Sequence, residues 1–152
     1  MAPRLARGCR CFAAWIGDEV AGYGWLSTDR EWIGELQLTI SPRPGEGYIW
    51  NCVTMPEHRR KGIFRAMIGG IAEIAQGEGI RRLWIGSVAI PAEHAMGPAG
   101  FIPTLHFSSV TFQDYHWLRV TPSDDLVLAQ DACEVLRIRP GAFLRIAHQR
   151  RH

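Results

Sequence analysis

The chain has 152 residues, 47% of them hydrophobic and 21% charged, with a formal net charge of +2. This is one domain's length, enough to bury a full core, with the composition of a soluble globular chain. It excludes a membrane span, because no apolar stretch approaches bilayer length, and so weak a charge makes no case for a nucleic-acid partner.

The start, MAPRLARGCR, is basic but is not followed by the apolar core of a signal peptide. Four cysteines (Cys9, Cys11, Cys52 and Cys133) read as reduced thiols, which places the protein in the cytoplasm. Cys9 and Cys11 are expected on one strand face, without the spacing of a metal site, so no metal is expected.

Two strand-rich runs, Cys11 to Ile16 and Val20 to Ser27, flank Gly17-Asp18-Glu19 and form a hairpin. Gly22 and Gly24 inside the second run signal a close backbone approach or a bulge. Glu35 to Ile40 alternates Leu36, Leu38 and Ile40 with polar residues, as a half-buried strand does. Ser41 to Gly47 is turn chemistry, and Tyr48 to Thr54 is the next strand. Helical spacing begins at Ile63, with Phe64, Met67, Ile68, Ile71, Ile74 and Ala75 on one stripe. Gly69-Gly70 marks close packing or a weak point, and Gly77 and Gly79 end the helix. Arg81 to Ala89 reads as a strand covered on both faces. Strand, helix and strand together imply a parallel pair with a right-handed crossover. A short helix runs from Pro91 to about Met96. Strands at Phe101–Phe112 and Tyr115–Val120 follow, joined by a tight turn at Gln113-Asp114. In the tail, Ser123-Asp124-Asp125 caps a helix carrying Leu126, Ala129, Ala132, Cys133 and Leu136, although Leu126–Leu128 also suits a strand.

Within this order, Tyr48 to Arg65 (YIWNCVTMPEHRRKGIFR) carries the chemistry. A strand runs into the basic, Gly-punctuated turn Arg59-Arg60-Lys61-Gly62 and then into a helix. The unpaired N–H groups of a helix start and its dipole favour a phosphorylated ligand there. Gly62 lets the main chain approach that ligand.

The stretch resembles motif A of the GNAT superfamily of acyl-CoA-dependent N-acyltransferases. Pro56, Arg59, Gly62 and Ile63 match, with Phe64 in the place of a second small residue. A second segment, Ala89 to Phe101, is similar to another GNAT motif at Pro91, Ala92, Gly100 and Phe101. It has Ala89 where the family has Asn and Met96 where the family has the Tyr that protonates the leaving thiolate. The resemblance covers Cys11 to Val120. It implies an α/β (α+β) fold with a mixed, largely antiparallel sheet and a central βαβ crossover, lacking the family's usual first strand and two helices. The domain is then residues 1–120, with 121–152 a C-terminal extension packed on it.

The resemblance further implies acetyl-CoA as cosubstrate and a small-molecule or peptide amine as acceptor. Cys52, Val53 and Thr54 would pair with pantetheine, and Arg59, Arg60, Lys61, Gly62, Ile63, Phe64 and Arg65 would cradle the pyrophosphate. The residues' own alternative is a solvated basic face. Strand parity puts Glu46, Tyr48, Trp50 and Cys52 on the cleft side if no bulge intervenes. Glu46 and Tyr48 are the catalytic candidates, although Glu46 reads more readily as a turn residue in water. His94 on the short helix is a further candidate base or acid, with an exposed helical histidine the plainer reading. His58 is expected in solvent, and Cys52 is not expected to act as a nucleophile. Direct acetyl transfer is the leading function and a catalytically weak acyl-CoA-binding or sensor module the alternative. The missing front elements point to a homodimer.

Overall fold

Gly17 and Asp18 reverse the chain as the sequence predicts. In the computed structural model, which describes residues 5, 8–34, 36, 38–87, 90–112 and 115–146, they join strands β1 (Arg10–Ile16) and β2 (Glu19–Ser27). Contacts divide the chain into two units, Met1–Ile102 and Pro103–His152.

The first unit is built on a four-stranded sheet, order β1-β2-β5-β6, where β5 is Glu46–Thr54 and β6 is Arg82–Ile85. β1, β2 and β5 are antiparallel neighbours, and β5 and β6 are parallel. The crossover between them is helix α1 (Ile63–Gly77). Leu26 of β2 and Ile49 of β5 meet Met67, Ile68, Ile71 and Ala75 of α1 in the core. Ile74, placed on the same stripe by its spacing, is 46% exposed, because it lies one residue outside the arc that reaches the sheet. A Cβ on Gly69 or Gly70 would meet nothing within 4 Å, so the pair is a weak point and not a close contact.

The opposite face of the sheet carries Trp25, Tyr48 and Trp50. A small hairpin of β3 (Glu31–Ile33) and β4 (Leu38–Ile40) contributes buried Ile33, Leu38 and Ile40 to the same unit. The single strand expected over Glu35–Ile40 is therefore only its last three residues, Leu36 being in a turn and residues 35 and 37 outside the described set. β6 likewise ends at Ile85, short of the expected Ala89, of which residues 88 and 89 are not described. The short helix α2 (Ile90–Met96) and a 3-10 turn at Gly97–Ala99 close the unit.

The second unit has its own antiparallel sheet, β7 (Leu105–Phe112), β8 (Tyr115–Pro122) and β9 (Gly141–Ile146). Between β8 and β9 lies α3 (Leu126–Leu136), capped by Asp125, whose carboxylate accepts from Leu128 N–H at 2.9 Å. That cap decides the tail in favour of a helix. The helix ends at Arg137 in the left-handed region, φ 53°. β9 was not visible in the sequence, and it pairs antiparallel with β8. The turn at 113–114 lies outside the described residues. The architecture is α+β with mostly antiparallel sheets and one parallel crossover, the class that the sequence implied.

Candidate functional site: a parted strand pair facing a basic loop

β5 has two neighbours for only part of its length. Its register with β6 runs from Glu46↔Arg82 to Ile49↔Ile85 and stops. Trp50 to Thr54 continue with β2 alone among the described residues. Opposite β2, the register passes from Tyr23↔Val53 to Trp25↔Trp50, two steps on β2 against three on β5. The extra residue is absorbed at Asn51, whose φ of 47° is left-handed and suits Asn better than most residue types.

The bulge changes which face each side chain takes. A Cβ on Gly24 would stand 3.0 Å from Cys52 Sγ and 3.4 Å from both Met67 and Ile71, so Cys52 packs on the α1 side. Glu46, Tyr48 and Trp50 face the other way. The common face expected for these four residues therefore breaks at Cys52. The bulge also fulfils what Gly22 and Gly24 signalled, since a Cβ on Gly22 would sit 2.7 Å from Val53 O.

The chain leaves the open half of β5 into a 3-10 turn, Pro56–His58, tied to β2 by Met55 N–H donating to Ala21 O at 2.9 Å. Arg60 (φ 62°) and Gly62 (φ 78°) are both left-handed, and they turn the chain sharply into α1. Gly62 is the helix N-cap, and no side chain caps the helix. The first intrahelical bond is Ala66 N–H to Gly62 O, 3.0 Å, so the N–H groups of Ile63, Phe64 and Arg65 have no acceptor behind them in the helix. Gly62 is needed for its backbone angle. The space a Cβ would enter there is open, with nothing within 4 Å.

Arg59, Arg60, Lys61 and Arg65 are exposed around this helix start, with Arg59 Nε 3.5 Å from Thr54 O. Phe64, the departure from the small residue, packs against the core and leaves the loop's outer side clear. Cys52, Val53 and Thr54 are half-buried along the open half of β5. Main-chain donors and four cations are thus gathered where the strands part, an arrangement suited to a long phosphorylated ligand.

The catalytic candidates fare differently. Glu46 is 8% exposed, not a turn residue in water. Its Oε2 accepts from Trp84 Nε1 at 3.0 Å and Arg43 N–H at 3.2 Å, and Arg82 Nη1 stands 3.5 Å from Oε1. β6 brings Trp84 and Arg82 to it from across the parallel pair, which the turn sequence alone could not show. Tyr48 is buried, and a Cβ on Gly86 would lie 2.5 Å from its hydroxyl and 3.2 Å from Leu36 Cδ1. Its hydroxyl therefore reaches the chain just beyond the end of β6, where the parting begins.

His58, expected in solvent, is 7% exposed. The 3-10 turn carries it inward, its Nε2 3.5 Å from Glu19 Oε2 and its Nδ1 buried without a hydrogen-bond partner. His94 is exposed on α2, and Met96 packs against the core. Cys9 and Cys11 do not share a strand face. Cys9 precedes β1 and is buried, with Sγ 3.3 Å from Glu31 Oε2, whereas Cys11 is exposed. None of the four cysteines is in a disulfide. Among the described residues no three potential ligands converge as a metal site, and no helix is long and apolar enough to cross a membrane.

Residues 3–97 match the profile of the acetyltransferase (GNAT) family. No curated protein matches the chain. Among solved structures, the chain resembles a putative acetyltransferase from Agrobacterium tumefaciens at 21% identity and a TM-score of 0.51, over 74% of this chain and 72% of that one. It resembles a Bacillus subtilis acetyltransferase in complex with CoA at 22% identity and a TM-score of 0.51, over 72% and 60%. A second putative B. subtilis acetyltransferase, YycN, aligns at 18% identity and a TM-score of 0.53, over 69% and 62%. At these identities the likeness is one of fold.

Proposed function

Because the chain belongs to the acetyltransferase (GNAT) family, we propose that it transfers an acetyl group from acetyl-CoA to an amine, by direct attack within a ternary complex. The observation that carries this reading is the parting of β5 from β6 beyond Ile49, directly ahead of the uncapped start of α1. A pantetheine arm is itself a chain of amides. It would pair with the open half of β5 at Cys52, Val53 and Thr54, as a strand does. The pyrophosphate would accept from the N–H groups of Arg60 to Arg65, with Arg59, Arg60, Lys61 and Arg65 supplying charge.

In this scheme the thioester carbonyl is polarised by a β5 backbone N–H. The acceptor nitrogen attacks that carbon, and the C–N bond forms as the C–S bond breaks. The amine proton leaves through water. Glu46 is already engaged by Trp84, Arg43 and Arg82, so its role is to hold β5 and β6 together up to the parting. Tyr48, whose hydroxyl lies at the parting, is the group that passes a proton to the departing thiolate, directly or through water. The acceptor is a small-molecule or peptide amine.

The packing of Met96 into the core, where the family has its tyrosine, favours one alternative, a module that binds acyl-CoA with little turnover. One experiment separates the two. Acetyl-CoA is incubated with the protein and a panel of amines, and free CoA is measured chromatographically, so that the exposed Cys11 thiol does not interfere. Amine-dependent release supports transfer, binding without release supports the module, and neither binding nor release overturns both.

A further inference from the structure

Glycine stands at position 86 for space and not for backbone angle. Its φ is not left-handed, unlike that of Gly62. A Cβ at Gly86 would lie 2.5 Å from the Tyr48 hydroxyl and 3.2 Å from Leu36 Cδ1. Real Cβ atoms do not come within 3.0 Å of a neighbour, so a side chain there has to displace something. The register accounts for the meeting. Tyr48 stands beside Trp84 in the parallel pair, and Gly86 follows two residues later, where a continued strand keeps the face of Trp84. Diagonal neighbours in a sheet lie about 7–8 Å apart, a span that an aromatic side chain covers. The Tyr48 hydroxyl thus reaches past Ile85, the last paired residue of β6, into the space that Gly86 leaves empty.

Tyr48 has little room to give way. Its side chain is buried, with buried Ser27 beside it on β2 and buried Trp84 beside it on β6. A tyrosine has only two torsions with which to move its oxygen. Gly47 makes the contrast. A Cβ there would be 2.9 Å from Leu26 Cδ1 and 3.0 Å from Leu83 Cδ2, aliphatic ends that turn aside by rotamer. Closeness alone therefore does not set Gly86 apart. The atom it meets does, because that atom is the hydroxyl of a held ring.

We propose that Gly86 is a positioning residue for acyl transfer: by carrying no side chain it admits the Tyr48 hydroxyl to the parting of β5 and β6. Tyr48 has its part in the chemistry only within the transfer reading above, on which this assignment rests. As the C–S bond breaks, the phenol O–H bond breaks with it and the proton passes to sulfur. The phenolate then recovers, through water, the proton that the attacking amine releases, so amide and CoA thiol are the only products. Held against the backbone beyond Ile85, the oxygen stands where a ligand chain would take over from β6 beside β5.

The test compares kcat and KM for the unaltered chain, Gly86→Ala, Tyr48→Phe and the double variant, using acetyl-CoA and the panel amine that releases CoA fastest. Gly86→Ala should lower kcat at least ~10-fold, as Tyr48→Phe should, with the KM for acetyl-CoA within about threefold. In the Tyr48→Phe background, Gly86→Ala should lower kcat by less than about twofold, because the oxygen it displaces is already gone. A glycine needed only for folding would cost activity equally in both backgrounds. If Gly86→Ala does not fold, Leu36→Ala opens the other side of the same space. It should lower kcat at least about threefold with Tyr48 present and leave it unchanged with Tyr48→Phe. An equal loss in both backgrounds overturns the proposal, as does a Gly86→Ala enzyme that keeps its kcat. Absence of amine-dependent release from the unaltered chain overturns the transfer reading itself, so the two failures are told apart.

Discussion

The two halves of β5 have different jobs, although they are one strand. From Glu46 to Ile49 it is paired with β6, and at Tyr48 and Ile49 with β2 as well, and Glu46 is held by Trp84, Arg43 and Arg82. From Trp50 to Thr54 it keeps β2 alone among the described residues, carries the bulge at Asn51 and leads into the basic loop. An unpaired strand edge deep in a sheet is a liability unless something fills it. The comparison suggests that the first half supplies stability and the second half is kept open for a ligand with amides of its own.

The largest expected effect is at the loop. Gly62→Glu forces a side chain onto φ 78° and sets a carboxylate where the anion would bind. It should weaken acetyl-CoA binding at least ~100-fold, about 3 kcal/mol, by calorimetry. Gly62→Ala carries the backbone strain without the charge and separates the two causes. Equal affinity in all three proteins would end the assignment of the loop.

In the paired half, Glu46→Ala leaves Trp84 Nε1 without its acceptor and should lower unfolding stability by about 1–3 kcal/mol. If the halves divide as described, it shifts the denaturation midpoint and leaves acetyl-CoA affinity within a few-fold. A selective loss of affinity with unchanged stability would place Glu46 in the ligand site.

Away from β5, Gly70→Ala fills open space on α1 and should add about 0.5–1 kcal/mol of stability without altering affinity. The smallest effect belongs to the exposed Arg10–Glu78 pair, in which Arg10 Nη2 donates to Glu78 Oε1 at 2.9 Å. The Arg10 hydrogen bond holds the Glu78 carboxyl below its ordinary value of 4.5. A depressed carboxyl stabilises the fold above its unfolded pKa, and that contribution is lost as pH falls through the folded one. Acid titration of Glu78→Gln against the unaltered chain should therefore differ only slightly, and the difference should fade as pH falls below the ordinary carboxylate range.

Much of this was legible because local chemistry decided it. Gly17-Asp18 made the first hairpin, Asp125 capped α3, and the stripe from Phe64 to Ala75 drew α1 almost to its ends. Gly22 and Gly24 announced a close approach, and Asn51, a residue tolerant of left-handed backbone, was the unread signal of which strand would bulge. What could not be read depended on distant partners. Glu46 looked like a turn residue because Trp84, 38 positions away, supplies its donor. His58 looked exposed because the bond from Met55 to Ala21, which draws its turn inward, joins residues far apart in the chain. β9 is a short strand whose place is set by its register with β8, not by a pattern of its own.

The central claim, that acyl-CoA fills the open half of β5 and the start of α1, is tested most directly by amide-resolved hydrogen exchange with and without acetyl-CoA. The account predicts slowed exchange over Cys52–Thr54 and Ile63–Arg65, with Tyr48 and Ile49, already paired on both sides, unchanged. Binding that leaves those two segments as fast as in the free protein, while protecting another region, would contradict it.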